Sequence, residues 1–174
     1  MASLIITTPG AADANSYCDA TTADALLALR FDTAAWDDST TEEQEIALIW
    51  ATRLLNAAMD WYGCPSTTTQ ALDWPQIGQQ DKLGRPVGTM VYPQALVEAT
   101  AFYALALRQA VTGNTELDGE QGIKEFEVRG DQARVVYATQ APPSALQRLP
   151  MEIVRLLTPF GESRTGVTRR LIRS

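Results

Sequence analysis

Apolar residues recur at spacings of three and four along residues 41–62, which predicts a long amphipathic helix. Thr40 and Glu43 form a T-x-x-E capping box at its start, and Gly63 is placed to end it. Glutamates fill its first turns, where the helix dipole favours negative charge. We expect its apolar stripe to face the core; the members of this stripe are Ile46, Ile49, Trp50, Leu54, Ala57 and Trp61.

Two other segments have clear helical patterns. Thr21 and Asp24 form a T-x-x-D capping box, and the apolar run behind them predicts a short helix over residues 22–30. Pro93 suits the first position of a helix, and the segment 93–112 that follows is apolar on nearly all sides. Such a helix is typical of the buried centre of a bundle.

The last predicted helix covers residues 143–158. Pro150 must either start its main part or kink it, because proline cannot donate a backbone hydrogen bond inside a helix. Pro159 and Gly161 end it. Its apolar side consists of Leu146, Leu149, Ile153 and Leu157.

Residues 63–92 form a long connection that is rich in Gly, Pro, Thr and Gln. A connection of this length is unusual in a compact domain and is often functional or ordered by a partner. We therefore expect it to contribute interface residues, namely Trp74, Pro75 and Arg85.

After a polar linker over residues 113–122, alternating apolar and polar positions over 123–138 predict a β-hairpin. Its turn falls near Gly130-Asp131, two residue types that tolerate positive φ. Arg129-Gly130-Asp131 also matches a cell-adhesion tripeptide, but nothing else in the sequence indicates an extracellular protein. We interpret it as the hairpin turn.

These patterns predict a mainly α fold, a small helical bundle with one protruding β-hairpin and an extended C-terminal tail. A chain of 174 residues is long enough for one domain with a real core. We assign residues 1–160 to a helical domain and residues 161–174 to a basic docking tail.

Charge is unevenly distributed along this acidic chain. The net charge is −7, and residues 1–80 hold eleven carboxylates against only Arg30 and Arg53. The tail after Gly161 holds four arginines against Glu162 alone. Val167, Leu171 and Ile172 interleave with those arginines.

The tail pattern suits three interpretations. A phosphate backbone could bind the arginines, or the segment could be an inert terminus. Alternation of arginines with apolar residues favours the third, the addition of a strand to a partner's sheet.

Composition argues against catalysis. The chain contains no histidine, which removes the commonest general base and the commonest zinc ligand. It also lacks a glycine-rich phosphate loop. We therefore expect no enzyme activity, no cofactor and no metal site.

The sequence shows no pattern that predicts a targeting signal. Residues 1–15 carry no cation and make a poor signal peptide, and no stretch approaches the ~18 apolar residues of a membrane span. Cys18 and Cys64 lie far apart with no CxxC spacing, so we expect free thiols in a reduced compartment.

Two residue sets have both a functional and a structural interpretation. The first is an acidic set, which could hold a cation but lacks EF-hand spacing and is typical of a solvated helix start: Asp37, Asp38, Glu42, Glu43 and Glu45. The second is the four tryptophans, Trp36, Trp50, Trp61 and Trp74, which could stack on single-stranded nucleic acid. Their acidic surroundings favour packing in the core instead. Two of them, Trp50 and Trp61, lie on the predicted core stripe. For Trp74 both interpretations stay open.

The order of short motifs resembles a family of tailed-bacteriophage proteins, the head–tail connector, adaptor or head-completion proteins. Some members of that family carry the label "DnaT-like single-stranded DNA-binding protein". The resemblance spans nearly the whole chain. Its motifs are Ala12-Asp13-Ala14-Asn15-Ser16-Tyr17, Gln70-Ala71-Leu72-Asp73-Trp74-Pro75 followed by Asp81, Gly84 and Pro86, the helix opened by Pro93, and Arg170-Leu171-Ile172-Arg173.

This resemblance implies a structural subunit of the virion neck. About a dozen subunits, as in a dodecamer, would form a ring under the portal, extend the DNA channel and join head to tail. The implied partners are the portal protein, a tail-completion or tail-terminator protein, further copies of the chain, and passing double-stranded DNA without sequence-specific binding; no membrane is involved. The protein would occupy the neck at the head–tail interface, and the host cytoplasm during assembly. The residues expected to dock on the portal are Arg164, Val167, Arg169, Arg170, Leu171, Ile172 and Arg173.

The alternative is a replication protein that binds single-stranded DNA, as the second label suggests. The net charge of −7 and the lack of a basic-aromatic strip in the body favour the adaptor.

Overall fold

The computed structural model describes residues 3–111 and 149–164, together with the backbone of residues 123–129 and 132–137. Five helices dominate these residues, which confirms the predicted mainly α fold. The elements in chain order are α1 (Ala20–Leu27), α2 (Ala34–Asp37), α3 (Thr41–Ala58), β1 (Met59–Trp61), β2 (Cys64–Pro65), β3 (Gln76–Ile77), α4 (Gln94–Val111), β4 (Ile123–Arg129), β5 (Gln132–Tyr137), α5 (Met151–Leu157) and β6 (Gly161–Ser163).

Helix α4 is the central element, as its apolar composition predicts. It contacts each of the other four helices. Thr100 is its one fully buried polar residue, and its hydroxyl donates to the carbonyl of Leu96 within the same helix at 2.8 Å. The other buried residues of α4 are apolar: Leu96, Ala99, Ala101, Tyr103, Ala104 and Leu105.

Helix α3 begins as predicted. The Thr40 hydroxyl accepts from the backbone of Glu43, and the Glu43 carboxylate accepts from the backbone of Thr40, so the capping box is confirmed. The helix ends at Ala58, however, and not near Tyr62.

The predicted helix end is wrong because the chain pairs instead with a distant segment. β1 pairs antiparallel with β6, with Met59 opposite Ser163 and Trp61 opposite Gly161. A Cβ at Gly161 would lie 2.7 Å from the carbonyl oxygen of Asp60, so only glycine permits this approach. Gly63, at φ +89°, follows β1 and does not end the helix.

The predicted core stripe of α3 is wrong at Ile46 and Trp50, whereas its members Leu54 and Trp61 do pack against the core. Ile46 and Trp50 are 43% and 51% exposed. The helix packs through a different face, whose buried members are Ala47, Leu48, Ala51, Thr52 and Leu55. Helix α3 therefore carries two apolar faces, and the one that packs in the core is not the predicted stripe.

Helix α1 starts two residues before the predicted position. Asp19, not Thr21, caps it, and its carboxylate accepts from the backbone N–H of Thr22 at 2.8 Å. Asp24 instead accepts from the indole N–H of Trp36 at 2.8 Å, which ties α1 to the short helix α2 that the sequence did not predict.

The long connection 63–92 is folded onto the core. The indole of Trp74 is fully buried and packs edge-on against Trp61 at 5.9 Å and Phe160 at 5.6 Å between ring centroids. Pro75, joined to it by a cis peptide bond, is buried too. Both residues therefore belong to the core and are not available as interface residues.

Tyr17 holds this connection against α3. Its hydroxyl donates to the side-chain oxygen of Asn56 at 2.6 Å and accepts from the backbone N–H of Trp74 at 3.3 Å. Burial raises the pKa of the Tyr17 phenol, so the group stays protonated and can make both bonds.

At the C-terminal end, Pro150 starts α5, which places Leu149, Ile153 and Leu157 in the core as predicted. Leu146 and the predicted helical residues 143–148 lie outside the described residues. The described body continues past the predicted boundary at residue 160, because β6 pairs with β1 and the Arg164 backbone N–H donates to the carbonyl of Ala58 at 2.8 Å.

The predicted hairpin is confirmed in its backbone pairing. β4 runs antiparallel to β5, with Arg129 opposite Gln132 and Ile123 opposite Tyr137. Gly130 and Asp131, where the sequence predicted the turn, lie outside the described residues. The linker 113–122 lies outside the described residues.

Both cysteines are free thiols, as predicted. Cys64 is exposed, whereas Cys18 is buried. Burial, with the nearby carboxylates of Asp19 and Asp24, raises the pKa of the Cys18 thiol to about 12.

The two tryptophans Trp74 and Trp50 give a matched test of the core. We expect Trp74→Ala to lower the free energy of unfolding by about 3–5 kcal/mol, because it leaves a cavity beside Trp61 and Phe160. The control Trp50→Ala should cost about 1 kcal/mol, since half of its surface is already exposed. Urea denaturation of both variants measures the difference. Equal losses of stability would contradict the placement of Trp74 in the core.

The cysteines give a second test. A thiol reagent at pH 8 should modify Cys64 at once and leave Cys18 unmodified, because a raised pKa keeps the Cys18 thiol protonated. Denaturant should release the second thiol. The variant Cys64→Ser, which lacks the exposed thiol, serves as the reference. Rapid modification of two thiols in the native protein would contradict the burial of Cys18 in the core.

Candidate functional site

A cleft of about 500 Å³, lined by charged and apolar side chains, lies between α5, the start of α4 and the turn at residues 81–86. The Asp81 carboxylate shapes this turn by accepting from the backbone N–H groups of Leu83 and Arg85 at 2.8 and 2.9 Å. Gly84 supplies the positive φ that the turn requires. The turn thus holds Lys82 at the edge of the cleft, which Arg155 of α5 also lines.

Within the described part of the chain, Lys82 and Arg155 differ from the other cations in having no charged or aromatic partner. Of seven cationic side chains in the described ranges, four form ion pairs: Arg30 with Glu152, Arg85 with Asp81, Arg108 with Glu43, and Arg164 with Asp60. Arg53 lies over the ring of Trp50 at 5.6 Å. The two remaining cations both line the cleft.

The cleft is also cationic as a whole. Three cations line it, against the carboxylates of Asp81 and Glu98. Hydrogen bonds from Arg85 hold the pKa of Asp81 below its usual range, and Glu98 accepts from the side-chain amide of Gln94 at 2.8 Å. The first turn of α4 adds the positive end of the helix dipole. Such an arrangement can hold an anion such as a phosphate group.

A second surface is an apolar groove of about 470 Å³ between α3 and the end of α4. Ile46, Trp50 and Leu54 form one wall, and Leu107 and Val111 form the other. The only charged residues that line it in the described part of the chain are Glu43 and Arg108, which form an ion pair at 3.3 Å. Residues predicted from the sequence to fill the core therefore form an exposed apolar surface, which is typical of a protein docking site.

The structure separates the predicted site residues. Arg164 is held on the body: its guanidinium donates to Asp60 at 2.7 Å and to the Ala57 carbonyl at 3.2 Å. Arg85 lies on the exposed turn at the cleft, whereas Trp74 and Pro75 are buried in the core. The other predicted portal-docking residues lie outside the described residues: Val167, Arg169, Arg170, Leu171, Ile172 and Arg173.

The acidic set near the start of α3 does not form a metal site in the described part of the chain. Glu43 serves the capping box, and its bonds with Thr40 lower the pKa of its carboxyl. Glu45 is buried and accepts from the Ser3 hydroxyl at 2.6 Å and the Leu4 backbone at 2.9 Å. The interpretation as a solvated helix start therefore fits Glu43, whereas Glu45 instead binds the N-terminal segment.

Packing accounts for three of the four tryptophans. Trp36 and Trp74 are buried, and Trp61 donates to Asp73 at 3.1 Å. Trp50 alone of the four is exposed.

Sequence reasoning missed the cleft. Lys82 and Arg155 are 73 positions apart, and only the fold brings them together. No local signal in the sequence could have identified this pair.

Comparison with known proteins gives one match. A family model described as "Putative DnaT-like ssDNA binding protein" matches residues 2–174. Neither the curated proteins nor the solved structures contain a match to this chain. None of the helices in the described ranges combines the length and apolar character of a membrane crossing.

Proposed function

The chain belongs to the family of DnaT-like ssDNA binding proteins, and from this premise we propose that it binds single-stranded DNA in the cationic cleft. The observation that supports this function is the position of Lys82 and Arg155, the two cations without a charged or aromatic partner among the described residues, on the same cleft. An arginine or lysine already in an ion pair must give up that partner to bind phosphate, whereas these two need not.

The surrounding charge favours a confined contact. The chain carries a net charge of −7, so most of its surface repels a phosphate backbone. A single strand bends easily into a cleft of this size, whereas duplex DNA is stiff over ~150 base pairs. Single-stranded DNA therefore fits this geometry better than a duplex does.

Binding of this kind depends on phosphate contacts more than on base stacking. The aromatic residue that lines the cleft, Phe160, is buried against Trp74 and offers no open ring face. We therefore expect little sequence preference and a strong dependence of affinity on salt.

A second candidate function is the head–tail adaptor of a tailed phage, and the apolar groove favours it. A subunit of a ring needs surfaces that dock on other proteins, and the stripe of α3 offers one. An acidic subunit repeated around a pore would also let DNA pass without adhering. In this role the arginine-rich tail docks on the portal protein, further copies complete the ring in the virion neck, and a tail-completion protein covers its other side. In either role the protein acts without catalysis or a cofactor.

The cleft can be tested with a labelled oligothymidylate in fluorescence anisotropy. We expect the double variant Lys82→Glu, Arg155→Glu to bind the oligonucleotide far more weakly. The slope of log affinity against log salt should fall by about 0.7 for each phosphate that the variant no longer contacts. The control Arg53→Glu replaces a cation by a carboxylate outside the cleft. It should bind the oligonucleotide nearly as the wild type does, once its charge change, half that of the double variant, is taken into account. Absence of binding by the wild type at low salt, or equal weakening in both variants, would refute this function.

The adaptor role can be tested with the tail. We expect Arg169→Glu, Arg170→Glu, Arg173→Glu in the full chain to abolish co-purification with portal rings. One exposed ion pair contributes up to ~1 kcal/mol, but a ring repeats it in every subunit. The cleft variant Lys82→Glu, Arg155→Glu should keep portal binding, so the two functions are separable. Unchanged portal binding by the tail variant would exclude the tail as the docking segment.

A further inference from the structure

The apolar groove and the start of the tail share one face of α3. Trp50 and Ile46 lie seven and eleven positions before Ala57, which places all three on the same side of a helix. Arg164 is bound at the C-terminal end of this face, through its bonds to the Ala57 carbonyl and to Asp60. The tail therefore leaves the body at one end of the exposed stripe, and the groove lies towards the other end.

We propose that residues 165–174 of the same chain lie along this stripe and occupy the apolar groove. This is a site within the chain that goes beyond either proposed function, because it fixes where the tail rests before a partner displaces it.

The length of the tail permits this placement. From Ala57 back to Ile46, α3 rises about 17 Å at 1.5 Å per residue. Ten extended residues can span about 33 Å, so residues 165–174 reach the whole groove from Arg164. No movement of the body is needed.

The chemistry of the tail complements that of the stripe. Val167, Leu171 and Ile172 match the apolar walls formed by Ile46, Trp50 and the end of α4. Apolar burial therefore favours a tail that lies along the groove.

Charge favours the same orientation. The tail arginines would reach the first turn of α3, where Glu42 is exposed, while Glu43 already pairs with Arg108 at 3.3 Å. Helix α2, which directly precedes this turn in sequence, ends with two more exposed carboxylates, Asp37 and Asp38.

The same chain is favoured over a second copy as the source of this segment. A tail attached within reach of the groove has an effective concentration in the millimolar range, far above that of free protein in solution. A tail from another copy must also overcome the repulsion between two bodies of the same net charge.

Disulfide trapping tests the contact in the full-length chain. In a Cys64→Ser background, the pair Ile46→Cys and Leu171→Cys should form an intramolecular disulfide about tenfold or more faster than a control pair, Leu29→Cys and Leu171→Cys. Leu29 is 86% exposed and lies outside the groove, so it reports random collisions of the tail. Cys18 is buried and does not compete. Equal rates for the two pairs would overturn the proposal, as would a dimeric product, which would assign the groove to a second copy.

Quenching of tryptophan fluorescence by acrylamide gives an independent readout. Trp50 is the one exposed tryptophan of the four, so it dominates the quenching. We expect Val167→Asp, Leu171→Asp to raise the quenching constant and shift emission to the red, because the tail no longer covers Trp50. The same tail substitutions in a Trp50→Phe background should have little effect. Unchanged quenching in the protein that retains Trp50 would show that the tail does not cover the groove.

Discussion

The packing of α3 against α4 is the constraint on which the rest of the structure depends. The buried face of α3 includes both small and large residues, among them Ala47, Ala51 and Leu55. Residues on the other faces of α3 lie outside this contact. The consequence is visible on the outside of α3, where Ile46 and Trp50 are exposed although their spacing is that of a core stripe. One packing arrangement thus creates both the core and the apolar groove.

The other end of the core is closed by residues that are distant in sequence. Trp74 from the long connection packs between Trp61 of β1 and Phe160, which precedes β6. The pairing of β1 with β6 then fixes the position of Arg164, the last described residue. This closure connects core packing with the placement that we propose for the tail, since it holds Arg164 at the end of the exposed stripe.

Features that depend on neighbouring residues could be predicted from the sequence, whereas features that depend on residues far apart in the chain could not. The capping box at Thr40, the apolar composition of α4 and the hairpin alternation each depend on near neighbours, and all three are confirmed. The strand β1 could not be predicted, because Met59–Trp61 continues a helical pattern and its pairing partner lies about a hundred residues away. Hydrophobic periodicity likewise identifies apolar faces of α3 but not which of them is buried. Trp74 is buried although irregular connections are usually exposed. The two cations of the cleft come from separate elements, and neither has a local sequence signal that marks it.

Charge pairing, more than net charge, distinguishes the surfaces of this protein. A net charge of −7 alone argues against any contact with nucleic acid. Yet four of the described arginines, Arg30, Arg85, Arg108 and Arg164, are already held by carboxylates, so most cations of the described body serve internal contacts. What is available to a phosphate in the described body is the pair formed by Lys82 and Arg155, next to the first turn of α4. Among the described residues, this cleft therefore offers a phosphate two unpaired cations, which supports the proposed local binding of a single strand by an acidic protein.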